Sequence, residues 1–445
     1  MYSRQFLSLY SAIFFLFSGY SLFLNSAGIK LTQMGVNNLT IGALNAAFFV
    51  GGTISAIVSH RIISRVGHIR SFSVFGALFA IAALAHLMME ILWLWGIFRI
   101  ILGFCHYSLL MVVESWFNAR SNNENRAKVL AIYEVMYYTA SASGVLLLSL
   151  NLSSNNIFTL AAILVIASTL PVGLTRMKQP DIPARQRISL PHVLSIVPLA
   201  WLACFMAGIF INGFFTMGSV FFLRQGFDLQ QVSIYLGAAM VGGFTIQLMV
   251  AWLSNHFGRP RVIGGCAAGA ALAAFIGLLL LVCIPQIAWV QYIIAFIIGC
   301  SAFPLYALGL ARANDVLPNN MNTVEVNRAL LFVYGMGSLV GPLLLGGIMQ
   351  LFNHYGFYSV YLIVALVLAI YAIKQPRVPK SERSIYVPVP GNSGPTIVTV
   401  LDPRNVDSDK PFDPVIAEQH MQKTLNTEEM AENINKSETA EEQPK

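Results

Sequence analysis

Ser64-Arg65-Val66-Gly67-His68-Ile69-Arg70 closes one long apolar run, and Asn255-His256-Phe257-Gly258-Arg259-Pro260-Arg261 closes another. Their glycines lie 191 residues apart, and their last basic residues coincide at the same separation. A second pair repeats with small drift: Ala119-Arg120-Ser121-Asn122-Asn123 and Ala311-Arg312-Ala313-Asn314-Asp315. Tyr133 and Tyr334 follow these in similar surroundings. A repeat of this length, built on apolar runs, predicts two parallel halves with a site at mid-membrane between them.

Outward from these loops, runs of roughly 20 apolar residues match the roughly 30 Å core of a bilayer. Such runs fall at 6–29, 39–59, 71–89, 91–117, 127–150, 156–174, 196–223, 231–253, 262–284, 287–309, 326–350 and 356–373. The first is too long for the apolar region of a cleaved signal, so it reads as a span. The prediction is an all-α membrane protein with twelve transmembrane helices in two pseudo-symmetric six-helix halves. The halves cover 1–174 and 196–373, joined by a central loop at 175–195. The tail, 374–445, is polar and ends acidic; it cannot bury a core and is expected to be disordered.

Composition agrees. Of 445 residues, 56% are hydrophobic and 11% charged, against about 25% charged in soluble chains. So little charge cannot cover a water-facing surface, and membrane lipid is the expected partner. The net charge of +7 is not a nucleic-acid patch, because its basic residues alternate with the loops. Arg61, Arg65 and Arg70 follow the second span; Arg120, Arg126 and Lys128 the fourth. Arg176, Lys178, Arg185 and Arg187 fill the central loop, Arg259 and Arg261 follow the eighth span, and Arg312 and Arg328 the tenth. The other loops hold only Lys30 and Arg224. By the positive-inside rule both termini are cytoplasmic. The five cysteines lie in apolar stretches without CxxC spacing, which suggests packing rather than a disulfide or metal site. No HExxH, GxSxG, Walker motif or metal-spaced acidic pair occurs, so neither an enzyme nor an ATP-driven pump is expected, and no metal or cofactor.

The halves and their signature loops (Arg65, Gly67 and Arg70; Gly258, Arg259 and Arg261) resemble the major facilitator superfamily over roughly residues 5–375. Where that family carries an Asp, this chain has Ser64 and Asn255, which puts the family's interhelical charge relay in doubt. Arg99 and Gly103 resemble its Arg-x-x-x-Gly motif. Gly337, Gly341, Pro342, Gly346 and Gly347 resemble a Gly-Pro motif found in exporters, usually in the fifth span. Phe303-Pro304-Leu305-Tyr306-Ala307-Leu308, Ala313-Asn314-Asp315-Val316-Leu317-Pro318 and Val112-Val113-Glu114-Ser115-Trp116 are similar to the YcaD-like bacterial branch, with Arg312 where a His is common. The resemblance implies a multi-pass monomer of the bacterial cytoplasmic (inner) membrane that moves a small organic solute.

Ionisable groups at mid-membrane are costly and point to function. Arg99 lies roughly 12 Å inside its span, at about 1.5 Å per residue, and His106 shares its helix face. Arg99 either holds an anionic group of a solute or partner, or pins helices together. Glu134, at a depth similar to His106, is the candidate for proton coupling, with His106 as its partner; the other reading is a salt-bridged or solvated carboxylate. Glu114, Arg120, Arg126, Arg312, Asp315, Glu325 and Arg328 read either as a cytoplasmic gate of ion pairs between the halves or as charges anchoring helix ends. Asn25, Asn45, Asn212, Gln247, Tyr133, Tyr137, Tyr306 and Tyr334 are candidates to line a solute cavity. The expected function is proton-coupled secondary transport by alternating access. The alternative is a sensor of the same fold that signals through its cytoplasmic tail.

Overall fold

The computed structural model describes residues 4–120, 126–150, 152–174, 195–283, 287–317, 323–380 and Arg383. The central loop up to residue 194 and the tail beyond Arg383 lie outside the described residues. The helices are α1 (Arg4–Gln33), α2 (Asn38–Val66), α3 (His68–Met88), α4 (Leu92–Arg120) and α5 (Arg126–Leu146), which a 3-10 turn (Leu147–Leu150) continues. Then come α6 (Ser154–Gly173), α7 (Pro198–Arg224), α8 (Leu229–Thr245), α9 (Gln247–Phe257) and α10 (Arg259–Cys283). Last are α11 (Ala288–Ala302), α12 (Pro304–Val316), α13 (Thr323–Phe352) and α14 (Tyr355–Ile373).

Ten segments among the described residues are long and apolar enough to cross a membrane, one of them α11 with α12. α8 with α9 makes an eleventh, bent by 44°. α5 (Arg126–Leu146) stands in the place of the fifth predicted span. It is bound along α1, where Ser18 Oγ donates to Ala140 O at 3.0 Å and Ser21 Oγ to Ser141 O at 2.9 Å.

Two spans predicted as single runs are broken, each for a local reason. Pro304 has no N–H to continue the ladder of α11, so α12 starts afresh there. At the α8–α9 bend, the Thr245 hydroxyl donates to Val241 O (2.9 Å) and Gly242 O (3.2 Å), drawing carbonyls out of the helix.

The duplication is visible in the backbone. Gly67 (φ 90°) and Gly258 (φ 88°) each form a one-residue turn between antiparallel helices, a conformation open to glycine and strained for other residues. Gly35 (φ 73°) and Gly226 (φ 88°) take the same sign of φ within the four-residue links at the opposite end. Each is followed by a side-chain cap: Asn37 Oδ1 accepts from Thr40 N and Asp228 Oδ1 from Gln231 N, both at 2.8 Å. Within the halves, a side chain at Gly103 would strike the Phe48 carbonyl, and one at Gly299 the Ala239 carbonyl. Thus α2 packs on α4 as α8 packs on α11.

The halves meet at the end of the bundle away from the termini. There Gly346 of α13 lies against the Gly42 backbone of α2, and Asn38 Nδ2 donates to Met349 O at 3.1 Å. Ser219 Oγ of α7 donates to Asn25 O of α1 at 3.3 Å. Of the other Gly-Pro glycines, Gly337 lies on Phe205 and Gly341 on Ile209 of α7, while Gly347 faces Leu39 of α2. That motif therefore acts here as a smooth packing face, the membrane equivalent of small-residue helix contacts.

Candidate functional site: a polar chamber between the halves

A small chamber of about 20 Å³ lies where α1 and α5 of the first half face α7 and α8 of the second. Tyr20, Ser21, Asn25, Tyr137 and Ser141 line one side; Ile211, Asn212, Phe215 and Met240 line the other. The volume holds about one water, so the chamber is collapsed around its site in this conformation. Its mixed lining, apolar with a few convergent amides and hydroxyls, is the usual character of a small-molecule site.

Of the predicted cavity residues, Asn25, Asn212 and Tyr137 line the chamber itself. Asn25 Nδ2 donates to Ser21 O at 2.7 Å, while its Oδ1 is buried without a partner. Asn212 Nδ2 donates to Tyr334 Oη (2.9 Å) and Ser338 Oγ (2.8 Å), so Tyr334 stands behind it as support. Tyr306 packs on Tyr334 with ring centroids 4.9 Å apart. Gln247 lies at the α8–α9 bend and donates to Tyr138 Oη at 2.9 Å, linking the halves. Tyr133 points elsewhere, donating to Glu114 Oε1 at 3.3 Å within the first half.

Asn45 is a bridge rather than a lining residue. Its Oδ1 accepts from Arg99 Nη2, and its Nδ2 donates to Thr216 O of α7 at 3.1 Å. Arg99 is fully buried, with Cζ 5.7 Å from the centre of the Phe23 ring.

Glu134 is 7% exposed, and its Oε1 has no hydrogen-bond partner. It lies on the α5 face that carries Tyr137 and Ser141, roughly 4.5 Å along the axis from the first and about 10 Å from the second. His106 stacks on Tyr20 at 3.7 Å between centroids, and neither ring nitrogen has a hydrogen-bond partner. The structure does not hydrogen-bond His106 to Glu134; the Phe17 ring packs on both His106 and Tyr137, with centroids 6.3 Å and 4.8 Å away.

Of the suggested gate residues, Asp315 pairs with Arg259 at 3.4 Å, both nearly fully buried. This pair lies inside the second half, not across the halves. Arg259 also donates to Ser254 Oγ (2.5 Å) and Asn255 Oδ1 (3.0 Å). The carboxylate missing at Asn255 is thus supplied from the end of α12. Arg312 is buried nearby, and Arg328 is half-buried at the start of α13. Glu114 is buried beside Tyr133. The side chains of Arg120, Arg126 and Glu325 fall outside the described residues. Arg65, Arg70 and Arg261 of the signature loops are exposed.

Tyr20, Ser141, Tyr138 and Phe215 were not singled out from the sequence. For Tyr20 and Ser21 a signal existed: they sit about one turn before Asn25 on the same helix face.

Residues 9–324 match the Major Facilitator Superfamily profile. The chain belongs to the major facilitator superfamily. Within that superfamily it is 24% identical over 376 residues to the uncharacterised transporter YcaD of Escherichia fergusonii, covering 84% of this chain and 95% of that one. It is 26% identical over 348 residues to YcaD of Salmonella arizonae, covering 77% and 87%. These likenesses agree with the YcaD-like motifs and with a transporter rather than an enzyme. Among solved structures, the nucleoside transporter NupG has the same fold with a TM-score of 0.70 at 13% identity, covering 84% of this chain and 100% of that one. A D-xylose–proton symporter superposes with a TM-score of 0.66 at 14% identity, covering 84% and 98%. The chain is a multi-pass membrane transporter with the major facilitator fold.

Proposed function

We propose that this chain is a proton-coupled secondary transporter of a small organic solute, working by alternating access about the chamber between its halves. In this reading it sits in the bacterial inner membrane with both termini cytoplasmic, as the loop charges suggest. The observation that carries the coupling is Glu134. It is a buried carboxylate with an unpartnered oxygen, on the face of α5 that lines the chamber. A carboxylate so placed is tolerable in the closed protein when it holds a proton, and can release it when one side opens to water. Proton state and access are then linked through one helix.

Glu134→Gln mimics the protonated form permanently. In proteoliposomes with an imposed pH gradient, the variant should lose gradient-driven solute accumulation, by tenfold or more, while retaining solute exchange and normal expression. Accumulation equal to wild type would remove Glu134 from the coupling.

A further inference from the structure

Arg99 is a buried permanent charge whose surroundings leave two of its nitrogens without partners. A guanidinium is permanently charged and presents five donors in a planar fork. Here only Nη2 is hydrogen-bonded, to the neutral amide of Asn45; Nε and Nη1 are buried and have no partner. Among the described residues no carboxylate comes within ion-pair distance of it. The Phe23 ring offers a weak cation–π contact at 5.7 Å. A residue that merely pins helices together satisfies its donors, because each unmet donor and the bare charge are costly in a low-dielectric interior. Nor is the charge part of the duplicated architecture. Gly103 and Gly299 hold equivalent places against Phe48 and Ala239, so the second-half counterpart of Arg99 is Ala295.

Two neighbours say what the open donors serve. Tyr20 lines the chamber, its hydroxyl is buried and unpartnered, and it lies within electrostatic reach of Arg99. Asn45, whose Oδ1 accepts from Arg99, also holds α7 of the opposite half through Thr216 O at 3.1 Å.

We propose that Arg99 recognises the anionic head of the transported solute, a carboxylate or phosphate reached from the chamber past the Tyr20 hydroxyl, and that this engagement frees Asn45 and loosens the tie between α2 and α7. Both bidentate edges of a guanidinium, Nε with Nη2 and Nη1 with Nη2, include the Nη2 that Asn45 occupies, so an oxyanion that takes either edge fills an open donor and competes with the Asn45 amide. Binding would therefore weaken the contact that closes the bundle at the end away from the termini, coupling solute recognition to opening. This inference rests on the transporter reading above.

The test is a thermal-shift titration of the purified full chain with inorganic phosphate, succinate and benzoate as anions, xylose and uridine as neutral solutes, and choline as a cation. A bound ligand raises the melting temperature in proportion to ln(1 + [L]/Kd). At least one anion should stabilise the wild type, and phosphate against the carboxylates distinguishes the two head groups. Arg99→Gln should weaken that anion's affinity at least tenfold. Should Arg99→Gln fold poorly, Asn45→Asp carries the test: it gives the guanidinium a resident carboxylate at the loss of the donor to Thr216 O, so it should still unfold cooperatively yet lose anion binding equally. Stabilisation by xylose, uridine or choline that persists in Asn45→Asp overturns the anionic assignment and leaves the transporter reading intact. If no compound stabilises the wild type, the solute-site reading and this inference fall together.

Discussion

Arg99, His106, Glu134 and Arg259 are all buried, and each meets the membrane interior differently. Arg259 has a carboxylate, Asp315, at 3.4 Å. Asp315→Asn takes that charge from a buried cation, a change that costs about 3–5 kcal/mol in comparable pairs. We expect a large fall in melting temperature and yield, mostly recovered in the double variant Arg259→Met/Asp315→Leu; a double variant as weak as the single one would assign the loss elsewhere. His106 has no hydrogen bond to lose, only its stack on Tyr20 at 3.7 Å. His106→Phe keeps the ring and removes two unmet polar atoms, so stability should stay within about 1 kcal/mol of wild type or rise. A melting temperature well below wild type would reveal a partner for the ring. Lost proton-driven uptake at unchanged stability would place His106 on the proton path.

At the scale of elements, turns and breaks set the geometry of the chamber. Gly258 links α9 to α10 at φ 88°, and Arg383 crosses the same turn, donating to Asn255 O at 2.7 Å. Gly258→Ala must hold a Cβ in a left-handed conformation, at a cost of about 1–2 kcal/mol, and that Cβ would also press on the Arg383 guanidinium. We therefore expect Gly258→Ala to lower the melting temperature, and to lower it less when Arg383 is also truncated to Ala; an equal loss in both backgrounds would mean the Arg383 contact contributes nothing. The bend at Thr245 has a similar role: it brings Gln247 to Tyr138 across the halves. A straight eighth span would carry that amide elsewhere.

In the whole molecule, two similar halves carry dissimilar chemistry. The helix approaches repeat, but Arg99, His106 and Glu134 all belong to the first half, whereas the second supplies Asn212, Phe215 and Met240 as the facing wall. The halves are held at one end by backbone contact, with Gly42 against Pro342 and Gly346. Gly42→Val puts two methyl groups where no side chain fits, so it should wedge α2 from α13 and favour opening at that end. Expected is faster labelling, by a membrane-impermeant thiol reagent, of a cysteine placed at Asn212. Labelling as slow as in the Gly42 parent would show that this contact does not hold the chamber closed.

What the sequence determined by itself was everything that depends on local composition and period. Apolar run length produced the spans, and the glycine turns at Gly67 and Gly258 revealed the duplication, since each follows from one short segment in a uniform solvent. The matching turns at Gly35 and Gly226, with caps Asn37 and Asp228, were equally legible but have little side-chain similarity to mark them. Only the tertiary structure decided which polar side chains meet. That Asp315 turns to Arg259 inside its own half, that Asn45 bridges Arg99 to Thr216, and that Phe17 packs on both His106 and Tyr137 depend on helix rotation and crossing. Those are set by how side chains from distant segments interlock, and no single helix encodes them.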